Sequence, residues 1–191
     1  MNDVSNSKGP DALAATIKQV AEAGDSLPPV HLWNPPLLGD LDMRIARGGD
    51  WFYQDSAITR PQLVKLFSSI LRYDDDGCYY LVTPVEKWRI EVEDAPFVAV
   101  LVEARGSSDQ QVLSFTTNIH NNVDADASNK IRIEFDPVTL EPKPYIHVRS
   151  GLEALISRNV FYDLVEMAEA NLVNGKQVFG VWSAGEFFPL E

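Results

Sequence analysis

Apolar and polar residues alternate along much of this chain, and two longer stretches interrupt the alternation with helical spacing. Leu41–Ala46 alternates, Gly48-Gly49-Asp50 makes a turn, and Trp51–Gln54 returns as a second strand. Tyr79–Thr83, Trp88–Glu93, Phe97–Val102, Val112–Thr116, Ile131–Phe135, Tyr145–Arg149 and Val178–Ser183 read as further strands, and Phe187–Leu190 as a last apolar segment. In Trp88–Glu93 the residues Trp88, Ile90 and Val92 take the core face, leaving Arg89, Glu91 and Glu93 toward water. Phe97–Val102 is apolar on both faces, which places it centrally in a sheet. Asn118–Asn129 reads as a long polar loop, and Asp136–Pro144 as a turn-rich connection.

The first helical stretch opens at Thr59, with Gln62 placed to complete a capping box. Leu63, Leu66, Phe67, Ile70 and Leu71 form its apolar stripe, and Asp74-Asp75-Asp76-Gly77 ends it in a polar turn. A second helix opens at Ser157, with Phe161, Leu164, Val165 and Ala168 as its stripe. A third is expected over Asp11–Ala23, stopped by Gly24. Between it and the first strand, Leu27–Leu38 carries four prolines and must be extended. This arm is expected to dock Leu32, Trp33 and Leu37 onto the body. Its alternative role is a polyproline-like ligand for a partner's aromatic groove.

The two strong helices sit in related settings. Ile58-Thr59-Arg60 opens the first and Ile156-Ser157-Arg158 the second, an offset of 98 that also carries Gly77 onto Gly175. Two strands precede each helix and one follows. The pattern predicts an α+β chain: a tandem repeat of two small antiparallel β-rich, barrel-like units, each carrying one helix, behind an N-terminal helix and proline-rich arm. The expected divisions are 1–38 for the helix and arm, 39–108 for the first repeat and 109–191 for the second. Two packed copies would form a pseudo-dimer whose seam is a natural place for a pocket.

Composition narrows the function classes. The chain has 191 residues and a formal net charge of -12. That charge repels nucleic acid and anionic lipid, and no basic stripe offsets it. The longest aliphatic-aromatic run is far short of the roughly 20 residues of a membrane span. The polar start lacks a secretory core, and the single Cys78 suits a reducing cytoplasm. His31, His120 and His147 are far apart, so no zinc-ligand spacing exists, and no cofactor is implied.

Asp42–Arg60, Leu63–Leu71, Gly77–Phe97, Val148–Arg158 and Val181–Leu190 together resemble a bacterial family of uncharacterised proteins, labelled domain of unknown function twelve-eighty-five. LVTPVEK and VWSAGEFFPL are the most specific segments, and the resemblance runs from about Gly39 to the C-terminus. It implies a tandem of small β-rich units with a helix, loosely compared with pleckstrin-homology domains. It also implies a signalling or regulatory role by fold analogy alone.

The family-like polar residues near strand ends and helix starts are the candidate ligand-binding set: Arg60, Glu86, Lys87, Arg149, Arg158 and Ser183. Arg60 and Arg158 fall in a helix's first turn, where the dipole disfavours a cation; each therefore needs an acidic partner or a bound anion. The expected function is a non-enzymatic ligand- or protein-binding module with a regulatory role, taking a small anion or a protein partner; a homodimer is compatible with the sequence. One alternative is an enzyme with a small polar site near His120, beside Asn118, Asn121 and Asn122, although no nucleophile motif is present. Another is a scaffold that uses the proline-rich arm or an exposed sheet edge.

Overall fold

The computed structural model describes residues 27–106 and 110–191, and the expected helix Asp11–Ala23 lies outside them. The described residues divide into two compact units, 27–46 with Asp50–Glu93, and Arg47–Gly49 with the described residues from Asp94 to Glu191. Both are predominantly β, with one helix each among the described residues.

The first unit runs β1 (Leu37–Ile45), β2 (Trp51–Tyr53), β3 (Ser56–Ala57), α1 (Pro61–Ser69), β4 (Leu71–Tyr73), β5 (Tyr79–Val82) and β6 (Lys87–Val92). These form one six-stranded sheet in the order β3-β2-β1-β6-β5-β4. Two antiparallel meanders are joined by a parallel pair, in which Leu37 lies opposite Lys87 and Ile45 opposite Val92. The sheet is therefore not purely antiparallel. β1 also starts earlier than its alternation indicates, because β6 supplies a partner for Leu37–Asp40.

Helix α1 begins at Pro61, with Arg60 as its cap and no side-chain capping bond. The expected Thr59/Gln62 capping box does not form. Proline fixes φ and lacks the N–H that a first helical residue leaves unused, so Pro61 takes that position. Leu63 and Phe67 are buried, and the Phe67 ring stacks on Trp51 of β2 with centroids 6.0 Å apart. Ile70 and Leu71 are buried too, but Leu71 already belongs to β4. Their helical spacing concealed that strand.

The proline-rich segment contains one 3-10 turn, Val30–Leu32. Leu32 is 72% exposed and Leu37 52%, so neither docks as expected, and Trp33 is only half-buried. The segment is held by its backbone instead. Arg72 Nη1 donates to the Val30 carbonyl at 3.0 Å and to the Trp33 carbonyl at 2.7 Å. The Lys87 amide donates to the Pro36 carbonyl. Asp74 fixes Arg72 through two hydrogen bonds and accepts a third from Lys87 Nζ at 2.6 Å. Lys87 in turn lies over the Tyr80 ring, and the Tyr80 hydroxyl donates to Asp76.

The second unit runs β7 (Phe97–Arg105), β8 (Val112–Thr117), β9 (Asn122–Asp124), β10 (Ile131–Phe135), β11 (Pro142–Arg149), β12 (Leu152–Ile156), α2 (Arg158–Glu166), β13 (Glu169–Val173), β14 (Lys176–Ser183) and β15 (Glu186–Pro189). Its sheets are β10-β11-β12-β7-β8-β9 and β13-β14-β15, with β12 and β7 parallel. The sequence reading ends the first repeat at residue 108. β7 nevertheless pairs with β8 and β12, so its residues lie in this unit.

The two units share a stretch of element order. Three strands, a helix and three strands run from β1 to β6 and again from β10 to β15. β1 and β6 pair within one sheet, whereas β10 and β15 belong to different sheets and only touch. The register differs from the expectation. α1 and α2 start at Pro61 and Arg158, 97 positions apart, and the buried residues Leu63 and Phe67 correspond to Val160 and Leu164 at that same spacing. Val165 is exposed and Phe161 half-buried, so the expected stripe is off the buried face. The turn glycines Gly77 and Gly175, with φ of 78° and 77°, keep the spacing of 98. One extra residue therefore lies between helix and turn in the second unit.

Two outcomes test this packing. Gly180 of β14 leaves no room for a side chain: a Cβ there would lie 2.6 Å from the Phe187 ring and closer still to the Phe188 carbonyl oxygen. Gly180→Ala is expected to lower stability by about 1–3 kcal/mol in urea unfolding. For Asp74, burial works to raise the carboxyl, and the hydrogen bonds from Arg72 and Lys87 outweigh it, holding it below the ordinary value. A depressed carboxyl contributes fully above its unfolded value of about 4, and the contribution is lost as pH falls through the folded value. Asp74→Asn should therefore lower the melting temperature at neutral pH and flatten its fall below about pH 4.

Candidate functional site

The first unit's sheet carries an open cavity of 480 Å³. Its walls come from neighbouring strands and turns: Asp40, Asp42 and Arg44 of β1, Phe52 of β2, Gln54 and Asp55 of the β2–β3 turn, Cys78 before β5, and Arg89 and Glu91 of β6. Side chains two apart on a strand share a face, so β1 and β6 present their polar rows here together. The parallel β1–β6 register sets Asp40 opposite Arg89 and Arg44 opposite Glu91.

The charges in the cavity are partly neutralised from within. Arg89 grips Asp40 through two hydrogen bonds, the Nη2–Oδ2 one at 2.9 Å. The Arg89 hydrogen bond holds the Asp40 carboxyl below its ordinary value, and Asp40 raises Arg89 in return. Arg44 bonds Glu93 and lies over the Phe52 ring, its Cζ 4.5 Å from the centroid. Asp42, Asp55 and Glu91 have no ion-pair partner among the described residues. Also among those residues, no group of three His, Cys, Asp or Glu side chains could hold a metal ion.

The structure places the six sequence candidates elsewhere. Arg60 and Arg158 are exposed at the two helix starts, Arg60 as a cap and Arg158 as the first helical residue. Glu86 is buried in the β5–β6 turn, where its amide donates to Thr83 Oγ1 and its carbonyl accepts the Thr83 amide. Lys87 is engaged by Asp74 and Tyr80. Arg149 has its Cζ 5.2 Å from the centroid of the Phe97 ring, and burial lowers its guanidinium from the ordinary value. Ser183 is fully buried; its hydroxyl accepts the Leu113 amide at 2.8 Å and donates to the Ala125 carbonyl at 2.6 Å. That hydroxyl fastens β14 to β8 and to the end of β9.

The surroundings of His120 are equally committed to structure. His120 is exposed in a turn with φ of 61°. Asn118 Oδ1 accepts the Val98 amide, and its Nδ2 donates to the Gly49 carbonyl. The Asn121 amide donates to Thr117 Oγ1. Asp124 pairs with Arg105, and Asp126 accepts two loop amides. Sequence reasoning missed the cavity because its lining sits on strand faces that read as ordinary solvent faces. The usable signal was the concentration of charge on alternate positions of β1 and β6.

Comparison with known proteins agrees with the fold. Two family models match: the N-terminal domain of the domain of unknown function DUF1285 over residues 28–95, and the C-terminal domain of the DUF1285 protein of unknown function over residues 96–190. The crystal structure of a DUF1285 family protein from Silicibacter pomeroyi DSS-3 is similar at a TM-score of 0.87. Its sequence identity is 52%, covering 96% of this chain and 95% of that one. A DUF1285 family protein from Shewanella baltica OS155 is similar at a TM-score of 0.50 and 29% identity, covering 64% of this chain and 89% of that one. No curated protein matches the chain. The chain belongs to the DUF1285 family.

Proposed function

We propose that this protein is a binding module, regulatory rather than catalytic, whose ligand occupies the cavity on the first unit's sheet. The observation that carries the reading is the cavity itself, which at 480 Å³ is of a size that small ligands fill. Most of its walls are side chains on hydrogen-bonded strands, so their spacing is fixed by backbone pairing. Phe52 supplies an apolar surface, and the charged groups around it supply orientation.

The charge balance speaks against the small anion that Arg60 and Arg158 suggest. Both arginines of the cavity already have carboxylate partners, and three further carboxylates line it. A ligand bearing positive charge is favoured. Among the described residues no helix is long and apolar enough to cross a membrane.

Titrating isotope-labelled protein with amines, organic acids and short peptides, followed by amide NMR, tests the reading. A ligand is expected to move the amides of Asp42, Phe52 and Glu91. Phe52→Ala should weaken it about tenfold or more, equal to about 1.4 kcal/mol. Shifts confined to the second unit, or turnover of any mixture without saturable binding at the cavity, would overturn it.

A further inference from the structure

We infer that the occupant of this cavity is an extended basic peptide that adds as a strand along β1, an inference that rests on the binding reading above. Three observations converge on it. The first is an open sheet edge. On one side, β1 pairs with β6 at Leu37, Gly39–Asp40 and Arg44–Ile45, with register irregularities between; on the other, β2 pairs only with Met43–Ile45, and β3 pairs with β2. Among the described residues, Leu37–Leu41 therefore has no strand on that side. The edge ends where the Asp42 carbonyl accepts the Gln54 amide. Leu37 and Leu38 are 52% and 51% exposed, which leaves room for an incoming backbone. Free edges of this kind are where extended peptides bind, because unmet amides and carbonyls give affinity without regard to side chains.

The second observation is continuity. Asp40 and Leu41 belong both to the open edge and to the cavity wall. A strand laid along that edge would direct alternate side chains toward the cavity, about 7 Å apart.

The third is charge. Asp42, Asp55 and Glu91 remain without ion-pair partners among the described residues and lie on three different segments. They do not converge as a metal site would. Carboxylates spread in this way suit several ammonium or guanidinium groups carried on one chain. The formal net charge of -12 also raises the encounter rate with a basic partner.

Fluorescence anisotropy with a labelled peptide of about eight residues, alternating Lys and Val, tests the inference. Three competitors accompany it: the same peptide N-methylated at alternate backbone nitrogens, a glutamate-for-lysine version, and a linear polyamine. The Lys/Val peptide should bind, and N-methylation should weaken it about tenfold or more. Asp42→Asn and Glu91→Gln should each weaken it several-fold and flatten its salt dependence, with the melting temperature confirming folded variants. Equal binding of the N-methylated peptide, or full displacement by the polyamine, overturns the strand while a Phe52→Ala effect preserves the cavity reading. Binding of the glutamate peptide alone overturns the charge assignment and again leaves the cavity. Binding of the Lys/Val peptide that is indifferent to Phe52, Asp42 and Glu91 overturns both. Failure of that peptide to bind at all overturns the inference.

Discussion

The first unit depends on one pairing, that of its first strand with its last. β1 and β6 are about 50 residues apart in the chain, and their parallel ladder turns two meanders into one sheet. An isolated hairpin is marginal in water, and more strands sharing a buried face are needed for independent stability, so joining the two meanders stabilises both. The cost of closing so long a connection grows only slowly with its length, and the ladder offsets it. The same pairing sets Asp40 beside Arg89 and brings Arg44 within reach of Glu93. The cavity is thus a by-product of sheet closure, and the Lys87 amide that holds Pro36 is placed by the strand that β1 pairs with.

The second unit repeats the element order and solves the closure differently. β12 pairs with β7, which opens a meander that has no counterpart in the first unit. β13, β14 and β15 then form a sheet of their own. Ser183 ties that sheet to β8 and to the segment after β9, a task with no equivalent in the first unit because no added meander is there to be tied. A residue that looked like a ligand contact from its place in a specific motif is explained by this structural difference between the units.

The legible part of the fold was the part encoded locally. Alternation in Trp88–Glu93 marked a real strand with one covered and one wet face, and Ile131–Phe135 is a strand too, although its inward row loosens from the buried Ile131 to the 48% exposed Phe135. The helix at Ser157 was also legible, but its buried face was not. Val160, Phe161, Leu164 and Val165 are all apolar, and the pattern alone does not choose between Val160 and Val165. β4 and β13 begin directly after helices, where residues at helical spacing hide a change of period. The cavity was the least legible feature. Asp40 and Arg89 meet through a register between distant strands, which no local pattern records, and separately each resembles an ordinary surface charge.

The place of the parallel pairs along the chain has a consequence for synthesis. The first unit's sheet uses strands that end at Val92, so it can close once that stretch has left the ribosome. The second unit must hold β7, β8 and β9 available until β12 arrives to pair with β7, about 50 residues later. At ribosomal speeds of about 5–20 residues per second, that interval is several seconds, during which a long apolar strand is exposed. β7 begins with the buried Phe97, Val98 and Ala99, the most apolar start of any strand here. The nascent chain is therefore most vulnerable to mispairing there, in the window when the first unit is already complete.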